Sequence, residues 1–499
     1  MQAAVVEVVA GDNVCHVAVE LSSRSDITLE AFERVAWDRG PVVISPAALT
    51  RADDTRAAFL RLIERPGVVV YGVTSGYGDR AGVVLDEEER GRQARAAGLR
   101  AASFGEPLPA RVTRGIVLAR LANLLDGHAA VSSGLLSAVA AMLDGRALPP
   151  VPLHGNGGSG EILALAHLFA PVLEERDLGA KEGLALINGS PCAAALLADA
   201  VLVARRRLGL AYDAFALSVE AFRAPLDAYD EALEELWADE YEGRALRELR
   251  SRLNDEVARR PHQAPVAFRI LPRVLGQAER ALEAAGEAGS SSLCSVTDNP
   301  VYLPPADGHP DGRVLSTGGY HNAAAPAGLH ELAAVWSDLA QLAERHVERL
   351  AFAGDDDSDS GELARLLPML AVGYSEEARG AAQPVGLPRG GPGQNDVTSP
   401  AFLAWERETR AAEAFDSALA ILTAAAGRLV DRRQLKPGLL TIAAWTEEAV
   451  TALGGGMPVG EPLGRLAELL RDRCISVPTK ASRAGPARTR AARTRRGGP

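Results

Sequence analysis

A mainly α-helical protein, a bundle of long helices behind a mixed α/β N-terminal region, is predicted by three features of the sequence. Residues 1–70 mix the β-branched runs AAVVEVVA and GVVVYGV with turn signals and short helical patterns, whereas from about residue 201 onward Ala, Leu, Glu and Arg recur at helical spacing. The stretch 331–352, ELAAVWSDLAQLAERHVERLAF, puts Leu332, Val335, Trp336, Leu339, Leu342, Ala343, Val347 and Leu350 on one stripe, as a bundle helix should. Similar stripes run through 161–175, 192–221, 267–285 and 401–430. Their alanines favour helix and let backbones approach closely, which suits a packed bundle and contacts between bundles of different chains. The organisation that follows is 1–200 as an N-terminal region carrying the chemically active loops, 201–479 as the long-helix bundle and 480–499 as a tail. No internal repeat is visible.

Composition narrows the function. The chain has 499 residues, with 53 Lys and Arg against 65 Asp and Glu, a net charge of −12. That balance argues against a protein whose main task is to neutralise nucleic-acid phosphates or an anionic membrane, and a small ligand fits better. The tail from Lys480 holds seven Lys and Arg and no acid, so the body alone carries 46 basic against 65 acidic residues, or −19. Such a tail is expected to be a solvated, disordered terminus. Cys15, Cys192, Cys294 and Cys474 lie far apart without a CxxC, and no secretory pattern opens the chain. A cytoplasmic protein without disulfide or zinc framework is the expectation. No uninterrupted apolar run reaches the roughly 20 residues of a membrane-spanning helix, so none is expected to cross a bilayer.

The chemistry concentrates in His154-Gly155-Asn156-Gly157-Gly158-Ser159-Gly160-Glu161, which runs into the apolar pattern ILALAHLFAPVL. It matches GxGxxG formally, but a dinucleotide fingerprint needs a strand leading in, and Pro149, Pro150 and Pro152 cannot make a central parallel strand. There is no GK[ST], GxSxG or HExxH, and His154 and His167 lack a third ligand at a usual spacing, so neither a nucleotide nor a metal is expected. A Ser between glycines has another possibility. If the Gly160 nitrogen attacks the Gly158 carbonyl, and water leaves the ring and Ser159, the tripeptide becomes a methylidene-imidazolone (MIO), an electrophile built from the chain. Glycine is needed at the attacking nitrogen because no side chain then blocks the compressed turn.

The segment GGSGEILALAH from Gly157 to His167 resembles the G-A-S-G-D-L-A-P-L-A/S-H segment of the histidine and phenylalanine ammonia-lyase family, whose Ala-Ser-Gly forms that electrophile. Residues 70–78, VYGVTSGYG, look like the family's YG(I/V)NTGFG, and residues 181–190, KEGLALINGS, match KEGLALINGT almost letter for letter. Residues 263–269, QAPVAFR, are similar to QDxYSLR, Asp298-Asn299-Pro300 to DNP, residues 318–321 to GGNFH, and Gln394-Asn395-Asp396-Val397 to NQDV of the phenylalanine branch. The resemblance spans about residues 70–400. It implies the fold of the ammonia-lyase/fumarase-like superfamily, a homotetramer whose active sites draw on more than one chain, and elimination of an α-amino group together with a β-proton.

The matched residues carry intelligible roles. An electrophile at Ser159 would turn the substrate's amino group into a good leaving group, the work a cofactor usually does. Tyr71 is the candidate base, although a free phenol titrates near pH ~10 and needs neighbours that bring it lower. Arg269 is the candidate for the substrate carboxylate, since its planar fork meets two oxygens at once. Asn188 is the candidate donor to the ring carbonyl oxygen. Gln263, Tyr320 and Asn395 by resemblance line the same pocket.

Four departures limit what the resemblance implies. Gly158 replaces the family's Ala and adds backbone freedom that ring closure must remove. Val266 replaces the Tyr of QDxYSLR, deleting a hydroxyl. Counting back from Pro107-Leu108-Pro109, with Gln93 as a second anchor, puts Arg100 where histidine lyases carry His, so a cation replaces an imidazole beside the substrate's side chain. Asn395 stands where histidine lyases have Glu. The expectation is therefore an ammonia-lyase for an α-amino acid other than histidine, in specialised metabolism, with Arg100 meeting a protein acid, an acidic or strongly hydrogen-bonding substrate, or solvent. An aminomutase using the same electrophile and a non-catalytic binding homologue are the alternatives.

Overall fold

The computed structural model describes residues 5–7, 17–145, 147–353, 359–391, 393–455 and 457–476. Cys15 and the basic tail from Lys480 lie outside them. The longest described helix, Pro191–Phe222, starts on a proline, whose missing N–H costs nothing in a first turn, and ends where Arg223 turns left-handed (φ 55°). Helices Leu271–Leu293, Ala324–Ala351 and Ala401–Leu429 pack around it. Leu367–Ala381 lies on the last two, and Gly460–Ile475 covers Ala401–Leu429 from another side. All eight residues of the 331–352 stripe are buried. The composition shift at 201 falls inside the Pro191–Phe222 helix, which continues through it because no proline follows the first turn.

Residues Glu182–Phe222 form a stretch long and apolar enough to cross a bilayer, which inspection for uninterrupted apolar runs passes over. Its most apolar window is entirely buried in protein, so the apolarity serves the centre of the bundle. Several polar groups inside the bundle are paired. Arg207 donates to Asp416 through Nε (2.8 Å) and Nη2 (2.9 Å), and Trp336 Nε1 donates to Glu408 Oε1 at 2.8 Å. Burial pushes the Glu408 carboxyl up to about 7.

The N-terminal region is mixed, as expected. Strand Val17–Leu21 pairs antiparallel with Val5–Glu7 and parallel with Val42–Ile44. The β-branched run 67–73, however, is a turn. The Thr74 hydroxyl accepts from the Val70 N–H (2.7 Å), three successive N–H groups from Val73 to Ser75 donate to the Val70 carbonyl, and Gly72 takes φ 69°. Helix Ala110–Leu125, buried from Val112 to Leu125, carries Arg120 and Asn123 into the interior beside Pro191–Phe222. A two-stranded antiparallel sheet, Val301–Leu303 with Arg313–Leu315, follows the Asp298-Asn299-Pro300 turn.

Removing one partner of the buried Arg207–Asp416 pair should cost about 3–5 kcal/mol, because the other charge is stranded. Chemical denaturation of Arg207→Met should show that loss, and the double variant Arg207→Met/Asp416→Leu should recover most of it.

Candidate active site

Gly158 (φ 97°), Gly160 (φ 71°) and Glu161 (φ 57°) all have positive φ, so three of the four residues of the Gly158–Glu161 turn are outside the ordinary regions of a residue with a side chain. A side chain at Gly160 would collide with Asn188 Oδ1. Gly158 has open space around a would-be side chain, but its φ 97°, ψ 167° is a glycine conformation. The left-handed Glu161 costs on the order of 1–3 kcal/mol and persists because its carboxylate is anchored. It accepts from the N–H groups of Cys192 (2.6 Å) and Ala193 (2.9 Å), at the N-terminus of the central helix, where a negative charge is favoured. Burial pushes this carboxyl up to about 7 even so.

The three residues before Glu161 are held as well. Thr398 Oγ1 donates to the Gly158 carbonyl at 2.7 Å, Ser159 Oγ donates to Asn395 Oδ1 at 2.8 Å, and the Gly189 N–H donates to the Gly160 carbonyl at 3.1 Å. Asn188 Nδ2 donates to the Asn299 carbonyl at 2.6 Å, so one of the two amide hydrogens expected to serve a ring oxygen is committed elsewhere. Beneath it, Arg120 donates to the Asn188 carbonyl through Nη1 (2.9 Å) and Nη2 (3.0 Å). Asn123 Oδ1 accepts from the N–H groups of Thr297 (2.6 Å) and Asp298 (3.1 Å), and Asp298 pairs with the fully buried Lys181. Burial pulls the Lys181 ammonium down, against the attraction of Asp298.

A cavity of about 320 Å³ opens over this turn. Tyr71, Arg100, Ser159, Asn188, Tyr320 and Asn395 all line it, so six residues singled out from sequence meet in one place. The Tyr71 oxygen accepts from the Gly78 N–H at 3.1 Å, and Gln93 Nε2 steadies the loop through the carbonyls of Gly72 (3.1 Å) and Ser75 (3.3 Å). Arg100 ends the short turn Gly98–Arg100, with its guanidinium carbon 4.5 Å from the Tyr77 ring centroid. Tyr77, which sequence reasoning passed over, lines the cavity and stands where the matched motif has Phe, the one difference that could have drawn notice to it. Burial raises its phenol, with Arg100 opposing. Glu161 and Asn299 lie inside the matched segments, but nothing in the sequence told what they bond to, and Thr398 had no comparable signal.

Gln263, Val266 and Arg269 do not reach this cavity within one chain. Gln263 and Arg269 line a separate hollow of about 950 Å³, Val266 is 57% exposed, and Arg269 Nε donates to the Ala264 carbonyl at 2.9 Å. The segment is pinned there by Phe268, stacked on His346 at 3.8 Å and on Phe222 at 4.6 Å. Burial drives His346 down to about 4, so it is a neutral ring in that stack. Among the described residues no cluster of His, Cys, Asp and Glu suited to a metal ion gathers.

A family model described as aromatic amino acid lyase matches residues 27–177 and 170–453 of the chain. The chain is 31% identical over 365 residues to a histidine ammonia-lyase of Symbiobacterium thermophilum, covering 67% of this chain and 70% of that one. Its fold is similar to that of a phenylalanine aminomutase of Pantoea agglomerans (TM-score 0.80, 18% identity, 91% of this chain and 99% of the other). An ergothionase of Treponema denticola is similar in fold too (TM-score 0.79, 19% identity, 92% and 99%).

The buried Glu161 yields a prediction with a definite sign. Its carboxyl titrates at about 7 in the folded chain against 4.5 when free, so the folded state favours the protonated form. The wild type should therefore lose stability relative to Glu161→Gln as pH rises from about 4.5 to about 7, by up to about 1.4 kcal/mol per unit, and the difference should be flat above that. Denaturation midpoints of both chains across this range measure it. A difference that does not change with pH contradicts the assignment.

Proposed function

The chain belongs to the aromatic amino acid lyase family and is thereby a carbon–nitrogen lyase, and from that premise we propose that it eliminates ammonia from an α-amino acid other than histidine, using a methylidene-imidazolone formed from Gly158-Ser159-Gly160. The observation that carries the proposal is the left-handed turn itself. Gly160 has its missing side chain against Asn188, Thr398 polarises the carbonyl that ring closure must attack, and Asn395 holds the Ser159 hydroxyl that must leave as water. When formed, the group supplies an electrophile for the substrate's amino group.

The chain's own residues do the rest in this reading. Tyr71, at the cavity wall with its oxygen anchored by the Gly78 N–H, takes the β-proton. Arg269 binds the α-carboxylate, and because it and Gln263 lie away from Tyr71 in one chain, a second chain brings them, with Val266, to the cavity. In this reading the active assembly is the homotetramer that the family resemblance implies, with shared sites. Against histidine as substrate stands the lining itself, which among the described residues holds a guanidinium and no carboxylate to pair with an imidazole. Cys192, Cys294 and Cys474 are free thiols, which supports a cytoplasmic location.

Mass spectrometry of the proteolytic peptide carrying residues 158–160 should show it lighter by two waters in the native protein, and unmodified in Ser159→Ala and in Gly160→Ala. An unmodified native peptide removes the electrophile from the proposal. With an amino-acid panel, release of ammonia and an unsaturated acid supports the lyase, a β-amino acid product identifies an aminomutase, and no turnover leaves a binding protein. Tyr71→Phe should lower kcat by about 10²–10⁴-fold while the modified peptide still forms.

A further inference from the structure

We propose that the substrate's side chain ends in an acidic group and that Arg100 receives it. This rests on the lyase reading above, in which Arg269 of a second chain takes the α-carboxylate and leaves Arg100 for the other end of the substrate.

Arg100 is the one charged group among the described residues lining the cavity, and no acid stands near enough there to neutralise it. Its Nη1 donates to the Ala96 carbonyl at 2.7 Å, which occupies one of its five N–H donors. The Tyr77 ring, 4.5 Å from the guanidinium carbon, supports one face of the fork and restricts its swing. Among the described residues Arg100 forms no ion pair, and the cavity it lines is otherwise walled, among those residues, by side chains that include no Asp, Glu, Lys or other Arg. A planar cation held by its stem, with an edge unpartnered, matches the two oxygens of a carboxylate or another oxyacid. Closing a second chain over the cavity raises the penalty for leaving that charge alone and so sharpens the preference for an anion. The cavity, about 320 Å³, has room for a short dicarboxylic amino acid or for an aromatic amino acid carrying an acid on its ring.

The test uses the full-length Ser159→Ala protein, which binds without reacting, and pairs of ligands that share a shape and differ in charge. Calorimetry would compare L-aspartate with L-asparagine, L-glutamate with L-glutamine, and 4-carboxy-L-phenylalanine with 4-carbamoyl-L-phenylalanine. At least one acid should bind about tenfold or more tighter than its amide. Adding Arg100→Gln should shrink that preference to about twofold or less and leave amide binding nearly unchanged, and Arg100→Lys should retain part of it. If every acid binds no better than its amide, or none binds at all, the proposal is overturned. If Arg100→Gln weakens acids and amides equally, Arg100 holds the α-carboxylate instead, and the proposal is again overturned. The peptide mass of the unsubstituted protein separates the two ideas: the dehydrated peptide without acid preference sinks only the assignment of Arg100, and acid preference without the dehydrated peptide sinks only the electrophile.

Discussion

A left-handed turn cannot hold itself, and the site depends on how Glu161 holds this one. Its carboxylate reaches the first N–H groups of Pro191–Phe222, the helix around which the bundle is packed. Two donors that an isolated helix leaves unsatisfied become the anchor for a backbone conformation an isolated loop would abandon. The rigidity of the bundle is thereby lent to Gly158, Ser159 and Gly160. Thr398 and Asn395 close the clamp from the opposite side, from residues that lead into the Ala401–Leu429 helix of the same bundle.

Below the turn lies a layer of charge that a protein does not bury without consequence. Arg120, Lys181 and Asp298 are all shielded from water. Such groups are weak contributors to net stability, since desolvation offsets most of their attraction. What they supply is orientation. Arg120 grips the Asn188 carbonyl, Asn123 grips the N–H groups of Thr297 and Asp298, and between them Asn188 and Asn299 face each other across the cavity floor.

The separation of residues 263–269 from the cavity follows from the same economy. Phe268 is stacked against His346 and Phe222 inside the bundle, so Arg269 emerges where that stack puts it, on a different face from Tyr71. In the proposed assembly a second chain would bring that face to Tyr71.

The helices were legible in the sequence because their signal is local. The stripes at 161–175, 192–221 and 401–430 became Ile162–Glu175, Pro191–Phe222 and Ala401–Leu429. The stripe at 267–285 resolved into a short turn, Val266–Arg269, and a helix from Leu271 to Leu293, the break lying just before Pro272. Tyr71, Arg100, Ser159, Asn188, Tyr320 and Asn395, each singled out from its own motif, line one cavity, whereas Gln263, named with them, lies elsewhere in one chain; each motif is local, and their meeting is set by how the helices pack. Only the tertiary structure decided that 67–73 is a turn, that Asn188 spends a donor on Asn299, that Glu161 anchors the loop, and that Arg100 faces the cavity over Tyr77. The contacts that clamp the Gly158–Glu161 turn join Ser159 to Asn395 and Gly158 to Thr398 across 236 and 240 residues of chain. Periodicity reaches a few helical turns along the chain, so pairings at that separation are set by how the helices pack.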